Sequence, residues 1–293
     1  MKRLIINADD LGYDNGVVRG IIDLHRAGLV SSTSCMTNQP AWPLAAAYLR
    51  DHPDLGAGVH LVMNDGFPLL PPERVPAPIG AARHFLNDLQ TLRSLRAGTT
   101  AQLRAEFRAQ IERFTADAGR PPDHLDNHCA ISYLRPDRFK VTLDLAREYG
   151  VPIRAPFGDD LEEMAPIFAR QNGMPAWLVR IVGARYRRRV DRAGIPRPNT
   201  FIQHFSMPGH RTPEYLLSIL DGLRDGWTSE LLAHPGYDRG WREEDLRALQ
   251  DPRVQERLAR PDIQLVTFKD LAGAGRAAGS LSLIHISEPT RPY

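Results

Sequence analysis

Hydrophobic positions along this chain fall into short apolar runs that alternate with longer stretches of helical spacing. The apolar runs, rich in Leu, Ile and Val, predict strands over residues 4–7, 30–36, 55–61, 124–127, 151–155, 200–205, 229–233 and 263–268. Between them, residues 15–27 and 101–118 repeat apolar side chains every three or four positions, as an amphipathic helix does. Strands that alternate with helices predict an α/β fold with a mainly parallel sheet.

The number of strand and helix units favours a barrel. Seven or eight units in 293 residues fit a closed or nearly closed barrel of a single domain better than an open doubly wound sheet, although periodicity leaves closure undecided. No GxGxxG motif follows the first strand, which disfavours dinucleotide binding. We predict a barrel over residues 1–275, in which the long irregular regions 63–84 and 159–199 serve as lids or substrate walls.

The C-terminal stretch differs from the rest of the chain. A Gly/Ala-rich run over 273–279 leads into a segment, 281–291, that looks like a translated sequencing adapter. We therefore expect residues 276–293 to be a non-native tail outside the domain.

Composition and charge narrow the class of protein. With 42% hydrophobic and 25% charged residues the chain has an ordinary globular composition, and a formal net charge of +2 does not indicate nucleic-acid binding. One basic cluster stands out, which we interpret as a solvated helix face; an anionic substrate, a lipid surface or nucleic acid are the alternatives. The cluster consists of Arg180, Arg185, Arg187, Arg188, Arg189 and Arg192.

The sequence shows no disulfide framework, signal peptide or membrane span, and these absences predict the compartment and partners. Cys35 and Cys129 provide no disulfide framework, which is typical of a reducing compartment. No signal-peptide core follows Met1 and no apolar stretch could span a bilayer, so we expect a cytoplasmic protein without an integral membrane segment. No nucleic-acid motif is recognised, and no repeat or coiled coil predicts an oligomeric state.

Ionisable residues lie at the ends of several predicted strands. Asp9 and Asp10 follow the first predicted strand, and His60 lies at the end of the third. His234 follows the seventh, and residues 124–128 (His-Leu-Asp-Asn-His) lie at the fourth. In a barrel the carboxyl ends of the strands meet at one face, so these side chains are predicted to converge. One Asp with two His suits Zn²⁺ and similar ions, and leaves positions open for water and substrate, as hydrolysis requires.

Each of these residues also has a purely structural explanation. Adjacent Asp9 and Asp10 suit the start of a turn before Gly12. His60 alone suits a core histidine, and His234 before a proline suits a turn. Their joint placement at strand ends nevertheless favours one shared site.

The motifs together resemble a known family. Residues 7–12 (NADDLG), 58–61 (GVHL), 124–128 (HLDNH) and 234–236 (HPG), in this order over about residues 1–272, are similar to the YdjC/ChbG-type carbohydrate deacetylases, which include a hopanoid-associated branch. The resemblance implies a distorted (β/α) barrel and a metal-dependent hydrolase that removes N-acetyl groups from amino sugars such as chitooligosaccharides.

The resemblance also implies individual roles. Asp10, His60 and His128 would bind one divalent ion. Asp9 would act as general base on a metal-activated water, and His234 as general acid for the leaving amine. The resemblance suggests Mg²⁺, whereas two imidazole ligands favour Zn²⁺ or a similar ion.

Three further residues are candidates for support or substrate binding. His124 and Asp126 would orient the metal ligands. Arg154, at a predicted strand end, would contact substrate, hold the Asp pair or form a structural ion pair.

Other functions stay open. The substrate could be a lipid-linked amino sugar of the hopanoid type in place of a free N-acetylated sugar. A non-catalytic metal- or carbohydrate-binding protein is disfavoured, because a metal trap needs neither Asp9 nor His234. A glycosidase is disfavoured because its two carboxylates lie roughly 5 to 9.5 Å apart across the bond, which adjacent Asp9 and Asp10 reach poorly.

Overall fold

The centre of the molecule is one curled sheet of parallel strands. The structure, a computed structural model, describes residues 1–75, 85, 99–128, 136–238 and 240–274. The spatial order is β4-β3-β2-β1-β6-β5, and β7 pairs with the beginning of β1. The strands are β1 (Lys2–Leu11), β2 (Ser32–Cys35), β3 (Gly56–Leu61), β4 (Leu125–Asn127), β5 (Thr200–Ile202), β6 (Thr228–Ala233) and β7 (Ile263–Leu265).

Helices connect the strands and bury their apolar faces. Helix α1 turns Val17, Ile21 and Leu24 into the core. Asp14 caps its start by accepting a hydrogen bond from the backbone N–H of Val17. The helices are α1 (Asn15–Arg26), α2 (Trp42–Asp51), α3 (Thr100–Ala118), α4 (Pro136–Tyr149), α5 (Leu161–Asn172), α6 (Ala176–Ala193), α7 (Pro213–Asp221), α8 (Gly240–Gln250), α9 (Pro252–Leu258) and α10 (Lys269–Ala274).

The curled sheet forms a half-barrel, which confirms the predicted distorted TIM-like α/β fold. Strand β1 is central and pairs with β2, β6 and β7. Because the strands are parallel, the carboxyl ends of β1, β3, β4 and β6 lie along the same edge. That edge carries Asp9, Asp10, His60, His128 and His234.

Three predicted strands need correction, of which the one predicted over 263–268 ends at Leu265. Residues 151–155 do not form a strand: Ile153 makes one isolated parallel bridge with Leu125 and donates a hydrogen bond to the carbonyl of Pro196, just before β5. Pro152 has no N–H to extend a ladder. The strand predicted over 200–205 ends at Ile202, and the chain then enters a short 3₁₀ helix.

The prediction that residues 159–199 are irregular is also wrong, because this region contains helices α5 and α6. Pro166 lies inside α5 and disrupts the sequence pattern expected of a helix. In α6 the numerous arginines obscure a buried face that does have helical spacing. That face comprises Val179, Gly183, Tyr186 and Val190.

The remaining expectations fall partly outside the described residues. Residues 76–84 of the other long region, Cys129 and the tail 276–293 are not among those that the structure describes. Cys35 is a buried free thiol. In the described part of the chain, every helix is too short or too polar to cross a bilayer.

Candidate active site

A bulge at the end of β1 brings two adjacent carboxylates to one place. Successive side chains of a regular strand point to opposite faces, yet His60 Nε2 lies 3.6 Å from Asp9 Oδ2 and 3.5 Å from Asp10 Oδ1. The pairing of β1 with β2 shifts register between Ala8 and Leu11. Asp10 has a φ of 71°, in the left-handed region that Asp tolerates better than most residues. The bulge therefore lets both carboxylates face the same histidine.

His60 and His128 come from the neighbouring strands β3 and β4. His128 directly follows β4, and its Nδ1 lies 3.3 Å from Asp10 Oδ1. The two rings lie edge to face, with their centroids 5.1 Å apart. One ligand atom from each of Asp10, His60 and His128 lies within 4.8 Å of the other two. Burial alone would raise the pKa of the Asp10 carboxyl, but His128 and Arg242 outweigh it and hold that pKa well below its usual range.

Asp126 fixes the orientation of His60. The two residues are paired across β3 and β4, and His60 Nδ1 lies 2.8 Å from Asp126 Oδ1. An N–H on Nδ1 leaves Nε2 as the lone-pair nitrogen on the side of Asp10. Ser34 donates to Asp126 Oδ2 at 2.8 Å. Burial would raise the pKa of Asp126, but Arg154 and His60 hold it well below its usual range.

His124 lies one layer further from the carboxylate pair. Its Nδ1 is 2.6 Å from Asp123 Oδ1 and its Nε2 is 3.3 Å from Ser34 Oγ. The ring stacks on Phe268 with the centroids 3.9 Å apart. A side chain at Gly58 would overlap this ring, so the glycine provides the space in which His124 lies. His124 thus supports Ser34 and, through it, Asp126.

Arg154 holds three buried carboxylates. It donates to both oxygens of Asp9 at 2.7 Å, and its Nη1 lies 2.7 Å from Asp126 Oδ2. Its Nε donates to Glu230 at 2.6 Å. Asn7 adds a hydrogen bond to Asp9 Oδ1, also at 2.7 Å. Arg154 thus holds Asp9, one member of the Asp pair, and it also lines the cavity beside the site, so contact with a substrate stays open.

Glu230 is a buried member of this group that the sequence pattern did not single out. It lies within β6 and is fully buried, and burial raises its pKa to about 7 against the opposing effect of Arg154. Its Oε2 has no hydrogen-bond partner among the described residues. A glutamate inside the buried run Thr-Ser-Glu-Leu-Leu-Ala was the available signal, because a carboxylate in such a strand needs a cationic partner.

His234 and Arg242 bring the C-terminal part of the chain to the cluster. Arg242 donates to Asp10 Oδ2 at 2.6 Å, a contact for which its position in a charged helix gave no signal. The backbone N–H of His234 donates to Asp245 at 2.8 Å, while its Nδ1 has no partner in the described residues. Burial lowers the pKa of His234, and Asp10 and Asp9 act in the opposite direction.

A cavity of about 310 Å³ opens beside these residues, and we call it the site cavity. The predicted residues Asp9, His60, His128, Arg154 and His234 contribute its charged and ionisable groups. Asn127 and Gln203 add amide groups, and the remaining wall is largely apolar. A substrate in the site cavity would therefore contact Asp9, His234 and two of the three candidate metal ligands, His60 and His128.

The chemistry of the donor set fits a divalent ion. Asp10 Oδ1 is buried and, its 3.3 Å contact with His128 aside, accepts no hydrogen bond from the described residues. A buried acceptor without a hydrogen bond destabilises the folded protein by roughly 1–3 kcal/mol, and by more if it is charged. A bound cation would remove this destabilisation. A second group of Asp9, His60 and Asp126 is equally compact. Its two carboxylates, however, already bind the Arg154 guanidinium.

Known proteins resemble this chain over nearly its whole length. The family model described as YdjC-like protein matches residues 3–260. A carbohydrate deacetylase from Geobacillus stearothermophilus is 30% identical over 276 residues, which cover 91% of this chain and 96% of that protein. A carbohydrate deacetylase from Homo sapiens is 29% identical over 302 residues, with coverage of 92% and 91%.

A solved structure shares the fold over the same extent. It is that of an Enterococcus faecalis V583 protein provisionally described as a cellobiose-phosphate cleavage protein. The two structures superpose with a TM-score of 0.74 at 26% sequence identity, covering 92% of this chain and 98% of the other. Family model, relatives and fold thus agree over nearly the whole length, and this chain belongs to the YdjC family.

Proposed function

We propose that this protein is a metal-dependent hydrolase that removes an N-acetyl group from an amino sugar or a chitooligosaccharide-like oligosaccharide. The observation that carries the proposal is the convergence of His60 Nε2 and His128 Nδ1 on the buried carboxylate oxygen Oδ1 of Asp10, beside Asp9 and the site cavity. The carbohydrate deacetylases among the relatives support the same reaction. We assign the activity to residues 1–275.

Asp10 Oδ1, His60 Nε2 and His128 Nδ1 are the atoms that would hold the ion. When bound, a divalent cation there supplies a Lewis acid for the amide carbonyl and lowers the pKa of water. Two imidazoles among three ligands favour Zn²⁺ or a similar ion, whereas the family resemblance suggests Mg²⁺. Asp126 would keep His60 in the ligating tautomer.

Asp9 is the proposed general base. Its Oδ2 accepts a hydrogen bond from Arg154, and a carboxylate oxygen has a second lone-pair site that remains for a water proton. The bidentate contact with Arg154 and the hydrogen bond from Asn7 fix its direction before substrate arrives. A base held in this way loses little freedom as it accepts the proton.

His234 is the proposed general acid. The water oxygen forms a bond to the carbonyl carbon, the carbon–nitrogen bond breaks, and the amine leaves with a proton while acetate is released. An amine is a poor leaving group without that proton, so a protonated imidazole in contact with substrate accelerates the step. The unpartnered Nδ1 and the position of His234 in the site cavity suit this role.

The substitution Asp9→Asn tests the proposal. Acetate release from diacetylchitobiose, with added Zn²⁺, Co²⁺ or Mg²⁺, should fall by about 10²–10⁴-fold while bound metal persists, because a base is lost and no ligand is removed. Asp54→Asn is the matched control, since Asp54 is an exposed carboxylate paired with His25. It should leave the rate unchanged.

Two results would count against the proposal. A wild-type rate in Asp9→Asn would remove Asp9 from the mechanism. Absence of acetate from a panel of N-acetylated sugars and glycolipids, with each metal tested, would contradict the deacetylase function itself.

A further inference from the structure

The site cavity has two chemically distinct parts. Its ionisable groups belong to the proposed machinery, while most of its remaining wall comes from α5, α6, the strands β5 and β6 and their connections. Among the described residues of α5 and α6, no Lys, Asp or Glu side chain lines it. The apolar and aromatic residues of this wall, which we call the apolar wall, are Pro156, Phe157, Phe168, Met174, Val179, Val182, Tyr186, Phe201 and Leu232.

The apolar wall is a poor surface for a sugar ring edge. Each hydroxyl of a sugar that leaves water needs a hydrogen-bond partner, or its burial costs roughly 1–3 kcal/mol. Away from the proposed machinery, the described lining offers only Asn127, Gln203 and the Tyr186 hydroxyl for that purpose. The wall instead suits a group of carbon and hydrogen.

The site cavity is also larger than an acetyl methyl requires. Its volume of about 310 Å³ is at the lower end of the roughly 300–1,000 Å³ of small-molecule sites. A water molecule, which is similar in size to a methyl group, occupies ~30 Å³ in the liquid. The site cavity has about ten times that volume. Several carbon atoms can therefore enter beyond the first.

We propose that the site cavity receives the acyl chain of the substrate amide, and that the enzyme hydrolyses N-acyl amino sugars whose acyl chains are longer than acetyl. This rests on the proposed function, since the bond cleaved and the groups that cleave it are the same. Water adds to the carbonyl carbon, the carbon–nitrogen bond breaks, the carboxylate of the longer acid is released and the amine takes up a proton.

Connectivity favours the acyl chain over an apolar aglycone. The first acyl carbon is bonded to the carbonyl carbon, which must lie at the proposed ligands His60 and His128 for the reaction to occur. Both histidines line the site cavity together with the apolar wall. An aglycone is separated from the carbonyl by the amide nitrogen, two ring carbons and the glycosidic oxygen, and so begins much further from these ligands.

Two substrate series test the proposal on the metal-loaded wild type, with free amine as the common readout. The first is N-acetyl-, N-butanoyl- and N-hexanoyl-glucosamine. Each methylene that becomes buried is worth about fourfold in binding, so the two added methylenes should raise kcat/KM by about fifteenfold from acetyl to butanoyl. The second series keeps the N-acetyl group and lengthens an alkyl glycoside from methyl to hexyl, and its rates should stay within about twofold.

Val182→Phe and Ile181→Phe form a matched pair on adjacent positions of α6. Val182 lines the site cavity, whereas Ile181 is 44% exposed to solvent. Val182→Phe should reduce the ratio of butanoyl to acetyl cleavage by about tenfold because the added ring occupies the space for the chain. Ile181→Phe should leave the ratio as in the wild type.

The outcomes separate this inference from the function on which it rests. Cleavage of the acetyl substrate with no gain, or with a loss, for butanoyl and hexanoyl would overturn the acyl assignment and leave the deacetylase intact. A rise confined to the alkyl glycosides would also overturn it, in favour of an apolar aglycone. Absence of free amine from both series would reject the proposed function and this inference together.

Discussion

At the scale of single residues, the site depends on a backbone irregularity that the sequence did not reveal. The residue types at positions 9, 10, 60 and 128, together with their places at predicted strand ends, predict a metal site. The regular alternation of a strand would nevertheless have separated Asp9 from Asp10. The left-handed φ of Asp10 and the register shift beside it bring both carboxylates to His60. The sequence could predict that these residues lie close together, but it could not predict the backbone irregularity that turns both carboxylates to His60.

The substitutions His60→Ala and His128→Ala test the ligand set. Each removes one of three protein ligands, so the protein should lose its stoichiometric metal and its acetate release together. Elemental analysis after gel filtration measures the metal. His210→Ala is the control, because that ring stacks on Tyr215 and does not line the site cavity.

Full metal occupancy in either ligand variant would show that the ion is held elsewhere. Loss of metal from His210→Ala as well would point to general destabilisation. Thermal unfolding of all three variants, measured without metal, distinguishes that case.

At the scale of secondary-structure elements, parallel strands explain why the site could be located from the sequence. Residues at the ends of β1, β3, β4 and β6 meet because the strands run in the same direction. Helices α5 and α6 were missed, since Pro166 and a run of arginines obscured their pattern. Of the α6 arginines, three are exposed and three are half-buried, and one of the half-buried, Arg180, pairs with Glu162 at 2.7 Å. The opposite face of the helix contributes to the apolar wall.

The substitution Gly58→Ala tests how closely β3 packs against the ring of His124. A methyl group at this position would overlap the His124 ring, which supports Ser34 and Asp126. We expect the free energy of unfolding to fall by about 1–3 kcal/mol, as for other overpacked cores, and activity to fall with it. Urea unfolding of the metal-free protein measures the first effect.

The control for this substitution is Gly240→Ala at the start of α8, where an added methyl would meet no atom within 4 Å. Its stability should stay within about 0.5 kcal/mol of the wild type. Equal stability of the two variants would mean that His124 can move aside without cost.

At the scale of the whole molecule, the proposed site is assembled from distant parts of the chain. Asp10 accepts a hydrogen bond from Arg242, which is 232 positions away in the sequence, and Arg154 joins Asp9 to Glu230. The alternation of strands and helices, together with the motifs at the strand ends, predicted which elements would meet. The two partners Arg242 and Glu230 could not be predicted, because their pairing depends on side chains that reach across the finished fold.

Metal dependence of acetate release is the most direct test of the account. The initial rate of acetate release from diacetylchitobiose should fall at least about 10²-fold when a chelator removes the ion, and should return when Zn²⁺ or another divalent ion is added. The buried oxygen Oδ1 of Asp10 remains in place after the ion is removed, so the metal-free protein should bind an added ion again. An undiminished rate after verified metal removal would contradict the central claim that this cluster works through a bound cation.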